Sequence, residues 1–499
     1  DACNNLGTMY AAGEVTGEED EASAVTYYQR ACDGDGAWGC DNLAGHFYEG
    51  TAGLQSDKTK SAELFKKACS LDHANACTWY GYMAERGEGM AEASIETAAA
   101  FYEKACELDD NAGCRNLGLF YLYGRDGFLT DSEKATQYLN KSCDLQNGDA
   151  CNILGGAYAN GKINGEEDEA TAVAYYQRAC DSGEMSGCGY LAWYYEHGKG
   201  GLSVDLSKAA ELYDQACEGG NAGACNSLGT MYAKGEVSGE EDEATAVSYR
   251  QRACDGGDMW GCGNLAWSYG HGEGGLEIDL AKAAKLYGQA CEGNVGWSCY
   301  RLAHMYGSGE VTGKKDVVTG VAYYERACDE GYMWGCHDLG WSYLHGTEGK
   351  RVDVDKAISL YERACDSEIG SACNFLGMIW EGEWSASVSP DLKQAELFHR
   401  EACRLGFPCG NLFYFLRGEM KWEEAANILY KELEKSPSDS TFGELEFLRP
   451  ANLRGEVLRA LQRKLRDQGY YSGKIDGDFG PKTKSAIKQL CKCDPPALN

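Results

Sequence analysis

Cysteines recur along the chain with a period of 37 residues, and this spacing constrains the fold more than any other feature of the 499-residue sequence. Two series run in parallel, the second eight residues after the first, and the last pair is shortened to six. Self-similarity at such a period is typical of arrays in which each repeat is one supersecondary unit. The eleven pairs are Cys32 and Cys40, Cys69 and Cys77, Cys106 and Cys114, Cys143 and Cys151, Cys180 and Cys188, Cys217 and Cys225, Cys254 and Cys262, Cys291 and Cys299, Cys328 and Cys336, Cys365 and Cys373, and Cys403 and Cys409.

Three further cysteines stand outside these pairs. Cys3 is in register with the second series, so we expect its repeat to begin upstream of Asp1, where any signal peptide or anchor would also lie. Cys491 and Cys493 are too close in sequence to pair readily with each other. One of them could instead bond to another chain.

Each period contains two segments with helical spacing of apolar residues. The first is represented by Cys225, Leu228, Gly229 and Tyr232, which fall at i, i+3, i+4 and i+7 and therefore share one helical face. The second begins after Asp205, a residue type favoured at helix N-caps, and repeats that spacing. Glycine-rich loops join the segments into antiparallel hairpins, which must stack to bury their apolar faces. The predicted fold is all-α, a superhelical solenoid of αα-hairpins.

The charge of the chain argues against a nucleic acid partner, and its hydropathy argues against a membrane-spanning helix. The chain carries 78 Asp and Glu against 46 Lys and Arg, a net charge of -32. Nucleic-acid phosphates require clustered positive charge, so we expect no nucleic acid partner. No apolar run approaches the roughly 18 to 20 residues of a membrane-spanning helix, so we expect no membrane span in the visible chain.

The repeat resembles a known family. The pattern Leu-Gly-x-x-Tyr-x-x-Gly followed by Lys-Ala-Ala-x-x-Tyr-x-x-Ala-Cys resembles the Sel1-like repeat over residues 1–410. Its C-x7-C spacing resembles the Helicobacter cysteine-rich protein branch of that family, in which each cysteine pair is a disulfide. The resemblance implies a right-handed hairpin solenoid and a disulfide within each of the eleven pairs. Two local departures are Tyr80, which replaces the usual Leu, and Arg250, which replaces an aromatic residue.

Disulfides are one interpretation of the cysteine pairs, and zinc ligation and free thiols are the others. Tetrahedral zinc needs four nearby ligands, whereas neighbouring pairs would be about 10 Å or more apart in stacked hairpins. We therefore predict no metal and no cofactor. Disulfides would place the protein in the periplasm or outside the cell, because those compartments are oxidising. The alternative is a cytosolic protein with buried free thiols.

The C-terminal part of the chain differs in composition. The repeat pattern decays after Cys409, and residues 411–435 indicate a degenerate capping hairpin. Residues 436–449 indicate an interdomain linker, because they begin with a polar segment of Ser, Pro and Gly at 436–443. From 450 to 499 there are ten Lys or Arg and five Asp or Glu, a balance of +5 that leaves -37 for the remainder.

Residues 450–493 resemble a peptidoglycan-binding domain of type 1. The motifs that carry the resemblance are Leu461-Gln462, Gly469-Tyr470, Ile475-Asp476-Gly477, Phe479-Gly480, Thr483 and Ala486-Ile487. Leu490-Cys491 departs from the family's Phe-Gln, which puts a third helix in doubt.

The loop of this segment has side chains suited to a saccharide-peptide polymer. Aromatic rings can stack on sugars, a carboxylate can bind hydroxyls, and a cation can bind stem-peptide carboxylates. The candidate contacts are Tyr470, Tyr471, Lys474 and Asp476. The alternative is that the loop residues only build the turn.

Three Trp/His pairs at i, i+4 recur every 74 residues in the first helix of alternate hairpins. We expect them to face outward and to form a recognition strip for a protein or a glycan; packing between hairpins is the alternative. The histidines are two repeats apart, so they cannot share a metal. The strip consists of Trp193 with His197, Trp267 with His271, and Trp341 with His345.

The sequence offers no assembled active site. Its S-x-x-K motif, Ser485 to Lys488, lacks accompanying S-D-N or K-T-G elements. We therefore expect a non-enzymatic scaffold or adaptor that binds protein partners through the solenoid and peptidoglycan through the C-terminal domain. The alternatives are a muropeptide or β-lactam receptor with weak hydrolysis, and a structural subunit of a secreted filament or surface layer.

Overall fold

The computed structural model describes residues 2–125, 127–346, 350–382, 388–419, 421–435, 454–477 and 480–491. The predicted linker at 436–449 and Cys493 lie outside these residues, as does the side chain of Cys491. Within the described ranges the chain forms 26 α-helices and no β-strand. The all-α fold of tandem helix hairpins predicted from the sequence is therefore confirmed.

The helices alternate as first and second members of successive hairpins, and a short 3-10 helix, Glu273–Gly275, follows α15. In chain order they are α1 (Ala2–Ala11), α2 (Glu21–Asp33), α3 (Ala37–Glu49), α4 (Lys58–Ser70), α5 (Ala74–Arg86), α6 (Ile95–Glu107), α7 (Asn111–Tyr123), α8 (Ser132–Asp144), α9 (Gly148–Ala159), α10 (Glu169–Asp181), α11 (Met185–His197), α12 (Leu206–Glu218), α13 (Ala222–Ala233), α14 (Glu243–Asp255), α15 (Met259–His271), α16 (Leu280–Glu292), α17 (Gly296–Ser308), α18 (Val317–Asp329), α19 (Met333–His345), α20 (Val354–Asp366), α21 (Gly370–Trp380), α22 (Leu392–Arg404), α23 (Gly410–Gly418), α24 (Trp422–Lys435), α25 (Arg454–Asp467) and α26 (Pro481–Cys491).

The chain divides into two compact units. The first unit comprises Asp1–Gly261 with Glu273–Gly275, and the second comprises Cys262–Gly272 with Leu276–Asn499. Each unit is built from stacked hairpins, and the second also contains the C-terminal helices.

Aspartate side chains set the start of the second helix in the hairpins. Asp205 Oδ1 accepts a hydrogen bond from Lys208 N at 2.9 Å, as predicted for this N-cap. Asp57 makes the same contact at the start of α4. Each such cap satisfies one backbone N–H that has no intrahelical partner, which stabilises a helix by about 1 kcal/mol.

Glycine allows the two helices of a hairpin to pack closely. A Cβ on Gly81 would lie 2.8 Å from the ring of Tyr102, and one on Gly155 would lie 2.7 Å from the ring of Tyr176. Any larger residue would push the helices apart, because these rings are fixed in the core. Glycine is therefore a packing requirement at positions 81 and 155, whereas other repeats carry alanine at the same position, as at Ala44 and Ala192.

Disulfides join the second helix of one hairpin to the first helix of the next. The Cα–Cα distances are 4.5 to 5.0 Å, within the range that an unstrained disulfide spans. Cys254 and Cys262 are also disulfide-bonded, whereas the partly exposed Cys3 is free. A closed loop of about nine residues stabilises the fold by roughly 2 to 3 kcal/mol in the chain-entropy model.

Lysine side chains add a second connection between successive hairpins of the first unit. Each lysine binds the backbone oxygen of the first cysteine of the preceding pair, at the C-terminal end of a helix, where carbonyl groups lack intrahelical partners. The contacts are Lys67 Nζ to Cys32 O at 2.7 Å, Lys104 Nζ to Cys69 O at 2.9 Å, and Lys141 Nζ to Cys106 O at 2.6 Å. The same lysines pair with Asp35, Asp72 and Asp109.

Helices α23 to α26 form one structure with a shared core, which we call the terminal bundle. Lys464 of α25 donates a hydrogen bond to Asn427 Oδ1 of α24 at 2.6 Å, and Arg463 pairs with Glu423. The C-terminal helix α25 therefore packs directly on α24. The buried core residues of the bundle are Leu412, Phe415, Leu416, Ala425, Ala426, Leu429, Tyr430, Val457, Leu458, Ala460, Leu461, Leu465, Tyr471, Ala486, Ile487 and Leu490.

Candidate functional site

A buried glutamine holds the loop between α25 and α26. Gln462 Oε1 accepts hydrogen bonds from Asp476 N at 3.1 Å and Gly477 N at 2.9 Å. Its Nε2 donates to Asp476 Oδ1 at 2.9 Å and to Thr483 Oγ1 at 3.1 Å. The side chain of Gln462 has no solvent exposure, so this fully paired amide fixes the loop against both helices.

Tyr471 belongs to the core and not to the ligand surface. Its side chain is only 6% exposed, and its hydroxyl donates a hydrogen bond to Lys474 O at 2.8 Å. The loop turns this ring inward, where it packs among the aliphatic side chains of the terminal bundle. This burial argues against the predicted stacking of Tyr471 on a sugar, which stays a prediction.

The other three loop candidates remain accessible to different degrees. Lys474 and Asp476 are exposed, and Tyr470 is half-buried against the bundle core. One carboxylate oxygen of Asp476 is already engaged by Gln462. Their contact with peptidoglycan stays a prediction.

Sequence reasoning gave no role to Arg459, which helps to position the loop. Its guanidinium donates to Asp476 O at 3.4 Å and pairs with Glu456 on the same helix. The helical spacing of three residues between Glu456 and Arg459 was the available signal for the ion pair. No sequence pattern predicted the contact of Arg459 with the loop, because this contact depends on where the loop folds back onto α25.

The three Trp/His pairs share one local geometry. Ring centroids are 4.5 Å apart for Trp193 and His197, 3.8 Å for Trp267 and His271, and 3.7 Å for Trp341 and His345. Each histidine Nδ1 lies 2.9 to 3.0 Å from the backbone oxygen of its tryptophan, so Nδ1 donates the hydrogen. The histidine thus covers part of the indole on its own helix.

Exposure and neighbours of these tryptophans support both interpretations. Trp193 is 37% exposed and Trp341 is 41% exposed. Arg301 of the next hairpin lies 4.8 Å from the ring of Trp267, and the rings of Trp341 and Phe375 are 5.4 Å apart. The recognition strip stays a prediction, and Trp267 and Trp341 also contact the following hairpin.

Trp193 also lines the wall of a cavity of about 620 Å³ in the first unit. The cavity lies between α11 and α13 and is lined by aromatic and amide side chains. Among the described side chains, no group of three or more His, Cys, Asp or Glu is placed to hold a metal ion. No helix in the described part of the chain is long and apolar enough to cross a membrane.

Comparison with protein families identifies both parts of the chain. The peptidoglycan binding domain family matches residues 454–490. The Sel1 repeat matches eleven times, at residues 1–35, 39–73, 74–110, 111–147, 148–184, 186–221, 222–258, 261–295, 298–332, 335–368 and 370–407. Both families are non-catalytic binding modules. None of the curated proteins matches the chain.

One of the similar solved structures shares the fold. The chain is similar to c5321, a protective antigen present in uropathogenic Escherichia coli strains, with 22% identity over 90% of this chain and 95% of that chain and a TM-score of 0.63. A Sel1 repeat protein from Oxalobacter formigenes is 21% identical over 50% of this chain and 96% of that chain, with a TM-score of 0.43. Cysteine-rich protein B of Helicobacter pylori is 33% identical over 27% of this chain and 93% of that chain, with a TM-score of 0.23.

The repeat matches extend over most of the 499 residues, and their boundaries follow the hairpins seen in the structure. The chain belongs to the Sel1 repeat family.

Proposed function

We propose that the protein is a non-enzymatic adaptor of the bacterial cell envelope. Its repeats bind protein partners, and its terminal bundle binds peptidoglycan. The observation that carries this proposal is the direct packing of a module of the peptidoglycan binding domain family on a disulfide-bonded Sel1 array. Both are binding modules, so their combination in one chain suits a scaffold.

The cysteine chemistry supports a location outside the cytosol. Ten disulfides join successive helices within the two units, and such bonds persist in oxidising compartments such as the periplasm and the cell exterior. Peptidoglycan is met in those same compartments. The proposed location and the proposed ligand are therefore consistent with each other.

The charge of the module suits the proposed ligand. Residues 450–499 carry a balance of +5, whereas the remainder of the chain carries -37. Stem peptides of peptidoglycan bear carboxylates, which Lys474 and its neighbours on the loop can bind in charge-assisted hydrogen bonds. The acidic remainder would repel the same polymer, so binding is directed to the terminal bundle.

Sedimentation with purified sacculi tests the proposal. We expect the full chain to co-sediment, and we expect the double variant Tyr470→Ala and Lys474→Glu to lose most of this binding while keeping its helix content. The matched control is Lys285→Glu, which makes the same charge change on the exposed face of α16. Equal sedimentation of all three proteins, or none with the full chain, would contradict the proposed role of the module.

The partner-binding role of the array needs its own experiment. Sacculi loaded with the full chain are incubated with an envelope extract, and retained proteins are identified with and without the adaptor. We expect specific proteins to be retained by the parent chain and lost with Trp341→Ala, because an exposed tryptophan dominates many interfaces. If the sacculi retained the same proteins with and without the adaptor, the proposal that the array binds protein partners would be contradicted.

A further inference from the structure

A groove in the first unit has the chemistry of a ligand site that the peptidoglycan module does not explain. It lies between α11 and α13 and encloses about 620 Å³, within the usual size range of small-molecule sites. We propose that this groove binds an uncharged oligosaccharide. The inference is independent of the wall-binding role of the terminal bundle, because it uses different residues in a different unit.

Aromatic rings supply the apolar part of the groove. Trp260 is 56% exposed and Tyr190 is 51% exposed, unusually high values for such large apolar side chains in contact with a cavity. Tyr190 is held by stacking on the buried ring of Tyr176 at a centroid distance of 4.9 Å. A pyranose ring presents an apolar face of C–H groups, and a fixed aromatic ring is its natural counterpart.

Amide and hydroxyl groups supply the polar part. The lining includes Asn160, Asn221, Ser186 and Ser227, whose side chains carry both donors and acceptors, although Asn221 Oδ1 already accepts from Ala224 N and Asn160 Nδ2 already donates to Gly156 O. Sugar hydroxyls have the same dual character. One carboxylate is present, that of Asp258, whose Oδ1 accepts a hydrogen bond from Gly261 N. Burial raises the pKa of this carboxyl.

The charge of the lining selects an uncharged ligand. The described side chains that line the groove include no Lys, Arg or His, so an anionic ligand would find no counter-charge there. The strongly acidic chain around the groove would also repel an anion. The acidic chain would attract a cation, but the single carboxylate of the lining, that of Asp258, already accepts a hydrogen bond from Gly261 N. A glycan segment without charged substituents needs no counter-charge from the lining, so it fits the groove better than either kind of ion.

Two helical glycines keep the floor of the groove open. A Cβ on Gly189 would find its nearest neighbour at 3.7 Å, and one on Gly223 at 3.5 Å, both ordinary contacts. By contrast, a Cβ on Gly187 would lie 2.5 Å from Ala179 Cβ, so that glycine is required for packing. Glycine inside a helix costs about 0.5 to 1 kcal/mol relative to alanine. Neither packing nor backbone conformation explains Gly189 and Gly223, whereas room for a ligand does.

The favoured occupant is a glycan and the competing one is an extended peptide. Asparagine amides could pair with peptide groups as well as with hydroxyls. Exposed rings beside small hydroxyl and amide groups suit a sugar chain better. The experiment separates the two.

Isothermal titration of the full chain with cellohexaose, maltohexaose and chitohexaose tests the proposal, and a neutral Ser/Pro-rich peptide serves as the competing probe. The variant Gly223→Leu fills the groove, and Trp260→Ala removes a ring. The matched control is Gly288→Leu on α16, where a Cβ has its nearest neighbour at 4.0 Å. We expect one neutral hexasaccharide to bind, and both groove variants to weaken it at least about tenfold. The control should bind like the parent, and Gly223→Leu should not lower the melting temperature.

Three outcomes would overturn the proposal. They are no binding of any of the three hexasaccharides at about 10 mM, binding that Gly223→Leu leaves unchanged, and binding of the peptide alone. Failure of the wall-binding role would look different, because it is measured with Tyr470→Ala and Lys474→Glu on sacculi. That double variant should keep its full affinity for the hexasaccharide.

Discussion

The repeat array and the terminal bundle both pack helices against one another, but different interactions stabilise the packing. In the array, small residues such as Gly81 and Gly155 bring helices together, and disulfides join one hairpin to the next. The terminal bundle has no cysteine between Cys409 and Cys491 and depends on its buried aliphatic side chains without such links. Leu461 and Leu465, for example, have no solvent exposure.

The difference shows how each region is stabilised. The array buries leucine side chains too, among them Leu154 and Leu228, but each covalent link adds about 2 to 3 kcal/mol to the interface between two hairpins. A fully buried leucine contributes a similar amount through the hydrophobic effect. The array should therefore depend on redox conditions and the terminal bundle on its aliphatic core.

Reduction should have the largest effect, and it should be confined to the array. We expect dithiothreitol to lower the thermal midpoint of the array by more than about 10 °C, because each kcal/mol shifts a domain of this size by several degrees. Amide hydrogen exchange followed by mass spectrometry resolves the two regions. Protection in α24 to α26 should change little. An equal loss of protection in the array and in the terminal bundle would show that the two regions do not differ in their dependence on disulfides.

The substitution Leu429→Ala should destabilise the terminal bundle by about 2 to 5 kcal/mol, because Leu429 is fully buried in the shared core. Exchange should accelerate in α25 as well as in α24, since the module and the cap use one core. The control is Leu228→Ala, which should affect the array and leave α25 protected. Unchanged protection of α25 in the Leu429 variant would mean that the module folds independently.

The substitution Asp41→Asn tests whether the buried carboxyl group of Asp41 lowers the stability of the folded array at neutral pH. Burial raises the pKa of Asp41 from 3.8 to about 6, and its Oδ1 has no hydrogen-bond partner among the described residues. The folded state thus holds a proton that the unfolded state releases, so wild-type stability falls as the pH rises from about 4 to about 6. The variant should be more stable at pH 7 by about 2 to 3 kcal/mol. Chemical denaturation at several pH values measures this, and parallel profiles would contradict it.

Two glycine substitutions test whether close packing of helices requires glycine, and we expect them to have the smallest effects on stability. Gly155→Ala should cost about 1 to 3 kcal/mol, because the new methyl group would lie 2.7 Å from the ring of Tyr176. Gly223→Ala should be neutral or stabilise by up to about 1 kcal/mol, since its surroundings leave room. Thermal denaturation of both variants gives the comparison. A similar loss in both would show that close approach is not what fixes glycine in the repeats.

The local features of the array could be predicted from the sequence because they recur at fixed spacing. The period placed the hairpins, and Asp205 marked a helix start. These features depend on neighbours at known separations in the chain. Eleven copies of the pattern made the reasoning secure.

The terminal bundle was harder to predict because its contacts depend on tertiary packing. The polar composition of 436–443 indicated a linker, yet composition carries no information on where the module packs. The contact between Lys464 and Asn427 joins elements that no periodicity relates. Tyr471 was assigned to the ligand for the same reason, since a loop aromatic residue can point to either side.

The state of the cysteines is the most direct test of the central claim that covalent links between successive hairpins hold the array together. Unreduced protein is denatured in guanidinium chloride, alkylated and weighed as an intact chain. The structure predicts that at most three of the 25 cysteines, Cys3, Cys491 and Cys493, react under these conditions. Alkylation of nearly all 25 cysteines would contradict the account, together with the oxidising location that it implies.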